Sequence, residues 1–274
     1  RSPSRGLGDV YKRQMLSFDE KVILIFNGEV FNFKELRNDL ESKGYEFIGN
    51  SDTEVLLNLY LSEGIKMLTK INGIFAFALV DLRSKELFLA RDALGVKPLY
   101  FSSNGNNFAF SSEIKAIIDL IPNDKKIDAK SIELYLSFLS GYGDGTPIES
   151  IKKILPGEVI KVKDGEIKEK WYWYKLPIHN KKNSLNKIEN ISGVENCLRQ
   201  AVHRQMISDV PLGAFLSGGL DSSSIVTFAK EINPEIKCFS IQTLGKQDKG
   251  FIDDLPYAKQ VAKHLNVSLD LVSI

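Results

Sequence analysis

From Lys21 onward the hydrophobic pattern divides into short, well-punctuated elements. Val22-Ile23-Leu24-Ile25-Phe26 is an unbroken apolar run that predicts a buried strand, and Asn27-Gly28 behind it is a strong turn signal. Phe33 to Lys43 carries apolar residues at helical spacing and closes at Gly44. A second helix runs to Glu63, capped by Ser51 or Asp52 and closed by Gly64. Strands are predicted at Ile74–Asp81 and Glu86–Arg91, joined by Leu82-Arg83-Ser84-Lys85. Shorter ones fit Leu99–Phe101 and Asn107–Ser111, with Gly105-Asn106 at the turn. A helix containing Glu133, Leu134, Leu136 and Phe138 follows. The hairpin Glu158–Lys163 and Glu166–Tyr172, turned by Asp164-Gly165, ends this half. Strands, then helices, then strands predict an α+β domain.

Pro177 through Glu189 is polar, Lys/Asn-rich and aperiodic, and reads as a linker. Beyond it the rhythm changes. Helix Ile191–Ser208, a short buried strand Leu212–Leu216, helix Ser224–Lys230, strand Lys237–Gln242, helix Asp254–Leu265 and strand Ser268–Ile274 alternate strictly. That alternation predicts an α/β domain with a doubly wound parallel sheet. Three strands are too few to complete and cover such a sheet, so the domain is expected to be truncated. Its exposed third strand is expected to make the chain aggregation-prone. Residues 1–14, Arg/Ser/Gly-rich and without period, read as a non-native leader ahead of Met15.

At 274 residues, with 43% hydrophobic and 26% charged residues, the chain is sized and composed for two globular domains. A formal net charge of +1 gives no electrostatic case for a nucleic-acid partner. Two cysteines argue against a disulfide framework and for a reducing cytoplasm. No apolar run approaches membrane-spanning length, so no membrane partner is expected.

The densest chemistry lies at Ser217-Gly218-Gly219-Leu220-Asp221-Ser222-Ser223, between a strand and a helix. Paired glycines let the backbone approach a ligand, and a helix N-terminus favours an anion. Serine hydroxyls add donors, and Asp221 adds a carboxylate suited to holding Mg²⁺ on phosphate oxygens. The reading is a pyrophosphate cradle for ATP. An ordinary Ser/Gly turn with Asp221 as N-cap is the competing one. No lysine follows the glycines, which excludes the commoner phosphate loop. The pattern S-G-G-L-D-S resembles the signature loop of the ATP pyrophosphatase superfamily.

Asn27-Gly28-Glu29 offers an amide, a close-approach glycine and a carboxylate, a set able to bind an α-amino acid; spacing alone fits a plain type I′ turn as well. The surrounding sequence adds to it. Phe26–Phe33, Gly49-Asn-Ser-Asp-Thr-Glu54, Gly73–Ala78, Arg91-Asp-Ala-Leu-Gly-Val-Lys-Pro-Leu-Tyr100, Ser112-Glu113, Lys115 and Leu155-Pro156-Gly157 resemble the glutaminase domain of class II glutamine amidotransferases. With Ser217–Ser223 downstream, the order from Met15 to Ile274 resembles the glutamine-dependent asparagine synthetase family.

The resemblance implies an N-terminal nucleophile hydrolase-like glutaminase domain with αββα layers at 15–176, a linker at 177–190 and an ATP-binding domain at 191–274. It implies that Asn27, Gly28, Glu29 and Asp52 bind glutamine, and that Asn27 and Gly28 form an oxyanion hole. Leu216 and Ile241 match positions that hold adenine through the backbone. Ser217, Gly218, Gly219 and Ser222 would contact the pyrophosphate, with Asp221 on Mg²⁺. The implied reaction hydrolyses glutamine, passes ammonia inward and uses it on a β-aspartyl-AMP made from aspartate and MgATP. A homodimer is left open as the assembly.

The family's nucleophile is an N-terminal cysteine. Here Arg1 opens the chain and no cysteine precedes Asn27, so the chain is expected to be a fragment without synthetase activity. A paralogous amidotransferase acting on a sugar, peptide or β-lactam precursor, and a non-catalytic glutamine- or nucleotide-binding module, stand as alternatives. Cys197 and Cys238 read as buried small hydrophobes. His179, His203 and His264 show no metal spacing, Lys125-Lys126 and Lys181-Lys182 read as solvated charge, and Trp171-Tyr172-Trp173-Tyr174 is expected to pack between the domains.

Overall fold

The computed structural model describes residues 14–105, 107–121, 125–177, 185–242 and 254–273. The expectations for residues 1–13, Asn106, His179 and Lys181-Lys182 lie outside them. The chain forms two compact units, Arg1–His179 and Asn180–Ile274.

Unit 1 is built on a six-stranded antiparallel sheet in the order β1 (Gln14–Leu16), β2 (Val22–Val30), β3 (Gly73–Asp81), β4 (Glu86–Arg91), β8 (Glu158–Lys163) and β9 (Glu166–Tyr172). A second antiparallel sheet, from β5 (Tyr100–Asn104), β6 (Asn107–Ser111) and β7 (Ile151–Lys153), is inserted between β4 and β8 and ordered β6-β5-β7. β3 shows how the sequence sets the layers. Its large residues Phe75, Phe77 and Leu79 alternate with Ala76 and Ala78, so the two sets face opposite sides of the sheet. The large set packs under the helices α1 (Phe33–Ser42) and α2 (Asp52–Glu63) with Leu24, Leu40, Leu56 and Leu59. The alanines leave room for the second sheet, whose Leu99 and Phe101 pack on them with Leu89 and Ile160. Beneath the second sheet, Ile117 of α3 (Ile114–Ile118) joins Ile121 and Ile151. The layers are helix, sheet, sheet, helix, the α+β arrangement expected.

The structure departs from the sequence reading at several points. Asn27-Gly28 is no turn: β2 runs through it, with Asn27 opposite Ala76 and Gly28 opposite Phe75. A Cβ on Gly28 would lie 2.1 Å from the Ile74 carbonyl oxygen, so the glycine here answers to a close cross-strand approach. Gln14, assigned to the leader, is the first residue of β1 and pairs with Ile25. Trp171 and Trp173 pack on the core of unit 1 itself; Trp173 stacks on Phe75 at 5.9 Å and donates its indole N–H to the Arg91 carbonyl at 2.9 Å. The helix expected around Glu133 to Phe138 is present as α4 (Ala129–Phe138), and none of its residues is buried.

Unit 2 alternates α5 (Lys187–Gln205), β10 (Gly213–Phe215), α6 (Leu220–Ile232), β11 (Lys237–Gln242), α7 (Leu255–Leu265) and β12 (Ser268–Ser273). The strands form a parallel sheet in sequence order, Phe215 opposite Phe239 and Ile241 opposite Val272. Leu216, Val226, Cys238 and Ala258 form one core and Val202, Phe228, Ala229 and Ile236 another. Two expectations fail here. β10 is not buried, since as an edge strand it leaves Phe215 75% exposed. Cys238 is buried, but Cys197 on α5 is exposed.

Candidate functional site

In unit 1, strand alternation puts Asn27 and Glu29 on the sheet face that turns toward the second sheet. A cavity of about 520 Å³ opens between the two sheets, lined by Asn27, Ala76, Ala78, Leu99, Phe110 and Ser112 among others. Asn27 donates from Nδ2 to Ser112 Oγ at 3.3 Å, a bond that ties β2 to the end of β6. Asp52 stands in the first turn of α2, where Ser51 is the N-cap and accepts from the Glu54 N–H. Its Oδ2 accepts the Val30 N–H at 2.9 Å, which places its carboxylate beside the end of β2, one residue beyond Glu29. Asn27 and Glu29 thus share the β2 face turned toward the second sheet, and Asp52, 25 positions beyond Asn27, is anchored beside the end of the strand through Val30.

The segment after β4 is held by two buried charges. Asp92, 2% exposed, accepts from the N–H groups of Leu94, Val96 and Lys97 at 2.9–3.1 Å and from Phe75 at 3.3 Å. Arg91 donates to the carbonyls of Gly95, Lys97 and Ile154, each at 2.6 Å, and its burial pushes its pKa below the usual arginine value. Gly95 is obligatory in this knot: its φ is +69°, and a Cβ would meet Pro156 Cγ at 2.8 Å. The motif Arg91–Tyr100 is therefore a scaffold that fixes the loop beside Phe75, the partner of Gly28.

In unit 2, the loop Ser217–Ser222 leaves β10 at its C-terminal end and enters α6. Gly219 is the N-cap, with φ −71° and ψ 164°, and no side chain caps the helix; Asp221 lies inside the first turn, so the Asp N-cap alternative fails. Gly218 has φ +82°, and a Cβ there would fall 2.4 Å from Tyr257 C and 2.5 Å from Ala258 N. Its glycine is fixed by conformation and by contact with the start of α7. Ser217 and Ser222 hydroxyls lie 3.0 Å apart; Ser222 Oγ accepts the Ser217 N–H and Ser217 Oγ the Gly219 N–H, both at 3.3 Å. These are long bonds that a competing anion can replace. Leu216 is buried and donates its N–H to the Phe239 carbonyl at 2.8 Å, while Ile241 stands half exposed near the end of β11.

The loop's donor set of hydroxyls and backbone N–H groups with a single exposed carboxylate fits a polyphosphate. Among the described residues no three His, Cys, Asp or Glu side chains gather to hold a metal on their own. A cation at Asp221 would take its other oxygens from phosphate and water. His203 Nε2 lies 3.0 Å from a Glu231 carboxylate oxygen, a surface hydrogen-bond contact between α5 and α6.

Fold and site together define an α+β unit of amidotransferase type followed by a parallel α/β unit with a Gly-Ser loop after its first strand. The chain belongs to the glutamine amidotransferase domain family, whose model matches residues 7–173. The asparagine synthase family model matches residues 193–273. Among curated relatives, the glutamine-hydrolyzing asparagine synthetase 1 of Bacillus subtilis is 38% identical over 258 residues, 93% of this chain and 39% of the relative. Asparagine synthetase 3 of the same organism is 37% identical over 83% of this chain and 38% of its own length. Asparagine synthetase 2 of Arabidopsis thaliana is 32% identical over 77% of this chain and 31% of its length. The chain spans about two fifths of the Bacillus relatives' length. Among solved structures, a glutamine phosphoribosylpyrophosphate amidotransferase from B. subtilis matches 95% of this chain and 73% of its own, at 16% identity and TM-score 0.44.

Ser112, Arg91 and Asp92 carry weight at these sites without having been given roles by the sequence. Each stood inside a motif quoted for its family likeness, Ser112-Glu113 and Arg91–Tyr100, but their partners are distant in sequence.

Proposed function

We propose that this chain carries the glutamine-binding and ATP-binding machinery of glutamine-dependent asparagine synthesis, in which glutamine hydrolysis supplies ammonia for the ATP-dependent amidation of aspartate through β-aspartyl-AMP. Residues 15–176 form the glutaminase domain in this reading, 177–190 the linker and 191–274 the ATP-binding domain. The observation that supports the reading is that Asn27, Gly28 and Glu29 follow one another in the C-terminal half of β2, with Asp52 anchored beside the strand's end through Val30 and Asn27 and Ser112 lining an inter-sheet cavity.

Glu29 and Asp52 supply negative charge for the substrate ammonium. Asn27 Nδ2 and the Gly28 N–H stabilise charge developing on the amide oxygen. No residue of this chain is assigned the nucleophile's role. In unit 2, Ser217, Gly218, Gly219 and Ser222 bind the pyrophosphate of ATP, and the backbone at Leu216 and Ile241 borders adenine. Asp221 holds Mg²⁺ when it is bound, and the ion neutralises phosphate charge. The substrates are small molecules, the assembly a homodimer, and the setting the reducing cytoplasm, which two unpaired cysteines suit. No helix among the described residues is long and apolar enough to cross a membrane.

Calorimetric titration of the whole chain tests this. Saturable binding of L-glutamine, lost in Glu29→Ala, and of MgATP, weakened in Ser222→Ala, is expected. Absence of both would sink the reading.

A further inference from the structure

We propose that Ser112 is the positioning residue for Asn27, holding its carboxamide so that one Nδ2 hydrogen remains to donate to the amide oxygen of a bound glutamine. The proposal rests on the glutamine reading of the β2 site. An asparagine side chain has a broad terminal torsion, and its amide can present either a donor or an acceptor to the same spot. A donor to developing negative charge is effective only if it is already oriented. Asn27 projects from the middle of β2, fixed at its backbone by pairing with Ala76. Its side chain needs a second anchor, and Ser112 supplies it: Oγ accepts from Nδ2 at 3.3 Å across 85 residues of sequence, from the opposite sheet. Both side chains line the same cavity, so the bond sits at its wall.

Ser112 is itself placed by its neighbours. Ser111 ends β6 opposite Tyr100, and its hydroxyl accepts the Glu113 N–H at 3.1 Å, which fixes the turn into α3. Of the remaining lining, Ile25, Ala76, Ala78, Leu99 and Phe110 offer the Asn27 amide no hydrogen bond through their side chains, and the Ser111 hydroxyl is engaged with the Glu113 N–H; Glu113 is the other polar residue there. With the Ser112 hydroxyl removed, the carboxamide loses the bond that fixes its torsion.

The test uses the full chain labelled with ¹⁵N-asparagine, the Asn27 amide pair being assigned by its loss in Asn27→Asp. Ser112→Ala is expected to shift that pair and to weaken L-glutamine binding about fivefold, the size of one net hydrogen bond. Ser112→Thr, which keeps the hydroxyl, should restore both, with thermal midpoints of all three proteins alike. If Glu29→Ala abolishes glutamine binding while Ser112→Ala leaves both the affinity and the Asn27 resonances in place, the positioning role is wrong and the glutamine site stands. If the unsubstituted chain does not bind L-glutamine, the site reading falls, and the proposal with it.

Discussion

Asp81 offers the sharpest test of the energetics of unit 1. It lies at the end of β3, 6% exposed, and accepts from Tyr60 Oη at 3.1 Å and from Arg83 through its backbone N–H at 2.9 Å and its guanidinium at 2.6–2.8 Å. The hydrogen bonds from the Arg83 side chain are the largest influence, and they hold the carboxyl at about 2 against an ordinary 3.8. That difference corresponds to about 2 kcal/mol. Because the Arg83 side chain is 45% exposed, screening brings the expected contribution to about 1–2 kcal/mol. The folded-state value is depressed, so this stability is present above about pH 4 and is lost as the pH falls from there toward 2. Both tryptophans of the chain, Trp171 and Trp173, pack on the core of unit 1, so urea unfolding followed by tryptophan fluorescence reads this unit. Comparing the unsubstituted chain with Asp81→Asn between pH 5 and pH 2 cancels the other carboxylates. The unsubstituted chain should lose about 1–2 kcal/mol more than the variant over that range. Equal losses would show that folding does not favour the ionised Asp81 carboxylate, and would refute the charge-assisted part of these contacts.

Other substitutions read other parts of the molecule. Gly28→Ala forces a Cβ onto backbone atoms of Ile74 and Phe75, which cannot yield without opening the β2–β3 ladder; a loss of about 3 kcal/mol or more in the same urea assay is expected. Asp92→Ala leaves four N–H groups, that of Phe75 buried and three partly buried, without their acceptor and should cost about 3 kcal/mol, whereas Asp92→Asn, which keeps one oxygen, should cost less. Asp221→Asn should weaken ATP binding about tenfold when Mg²⁺ is present and little in its absence, as measured by calorimetry; equal weakening in both conditions would refute the metal role.

Much of the element order was legible because each element carries its own local signal. The hairpin from Glu158 to Tyr172 has Asp164-Gly165 at its turn, and α2 has Ser51 before it and Gly64 after it, features set within a few residues. Asn27-Gly28 misled for the same reason. The dipeptide has turn chemistry, but pairing with Ala76 and Phe75, nearly fifty residues away, keeps it extended, and its glycine is needed for clearance rather than for a bend. The short elements α3 and β7 were missed because their five and three residues are too few to show a period. The candidate sites divided in the same way. The loop Ser217–Ser223 is contiguous and was visible as a motif. The bonds Asn27–Ser112 and Asp52–Val30 join residues 85 and 22 positions apart and exist only in the folded sheet.

The nesting of the second sheet between β4 and β8 bears on how unit 1 is assembled during synthesis. β2, β3 and β4 pair with their sequence neighbours, and α1 and α2 fall between β2 and β3, so the helix-covered centre of the large sheet is encoded by residue 91. β8 and β9 arrive as a local hairpin and dock as a pair onto β4 through Ala90 and Val159. Closing the intervening segment costs little more than closing one half as long, because loop entropy grows only logarithmically with length. The second sheet can therefore form as a self-contained excursion while the edge of β4 waits. Until the hairpin docks, that edge is the unprotected pairing surface of a nascent chain, and it is there that a stalled or prematurely ended translation product would be expected to find a wrong partner.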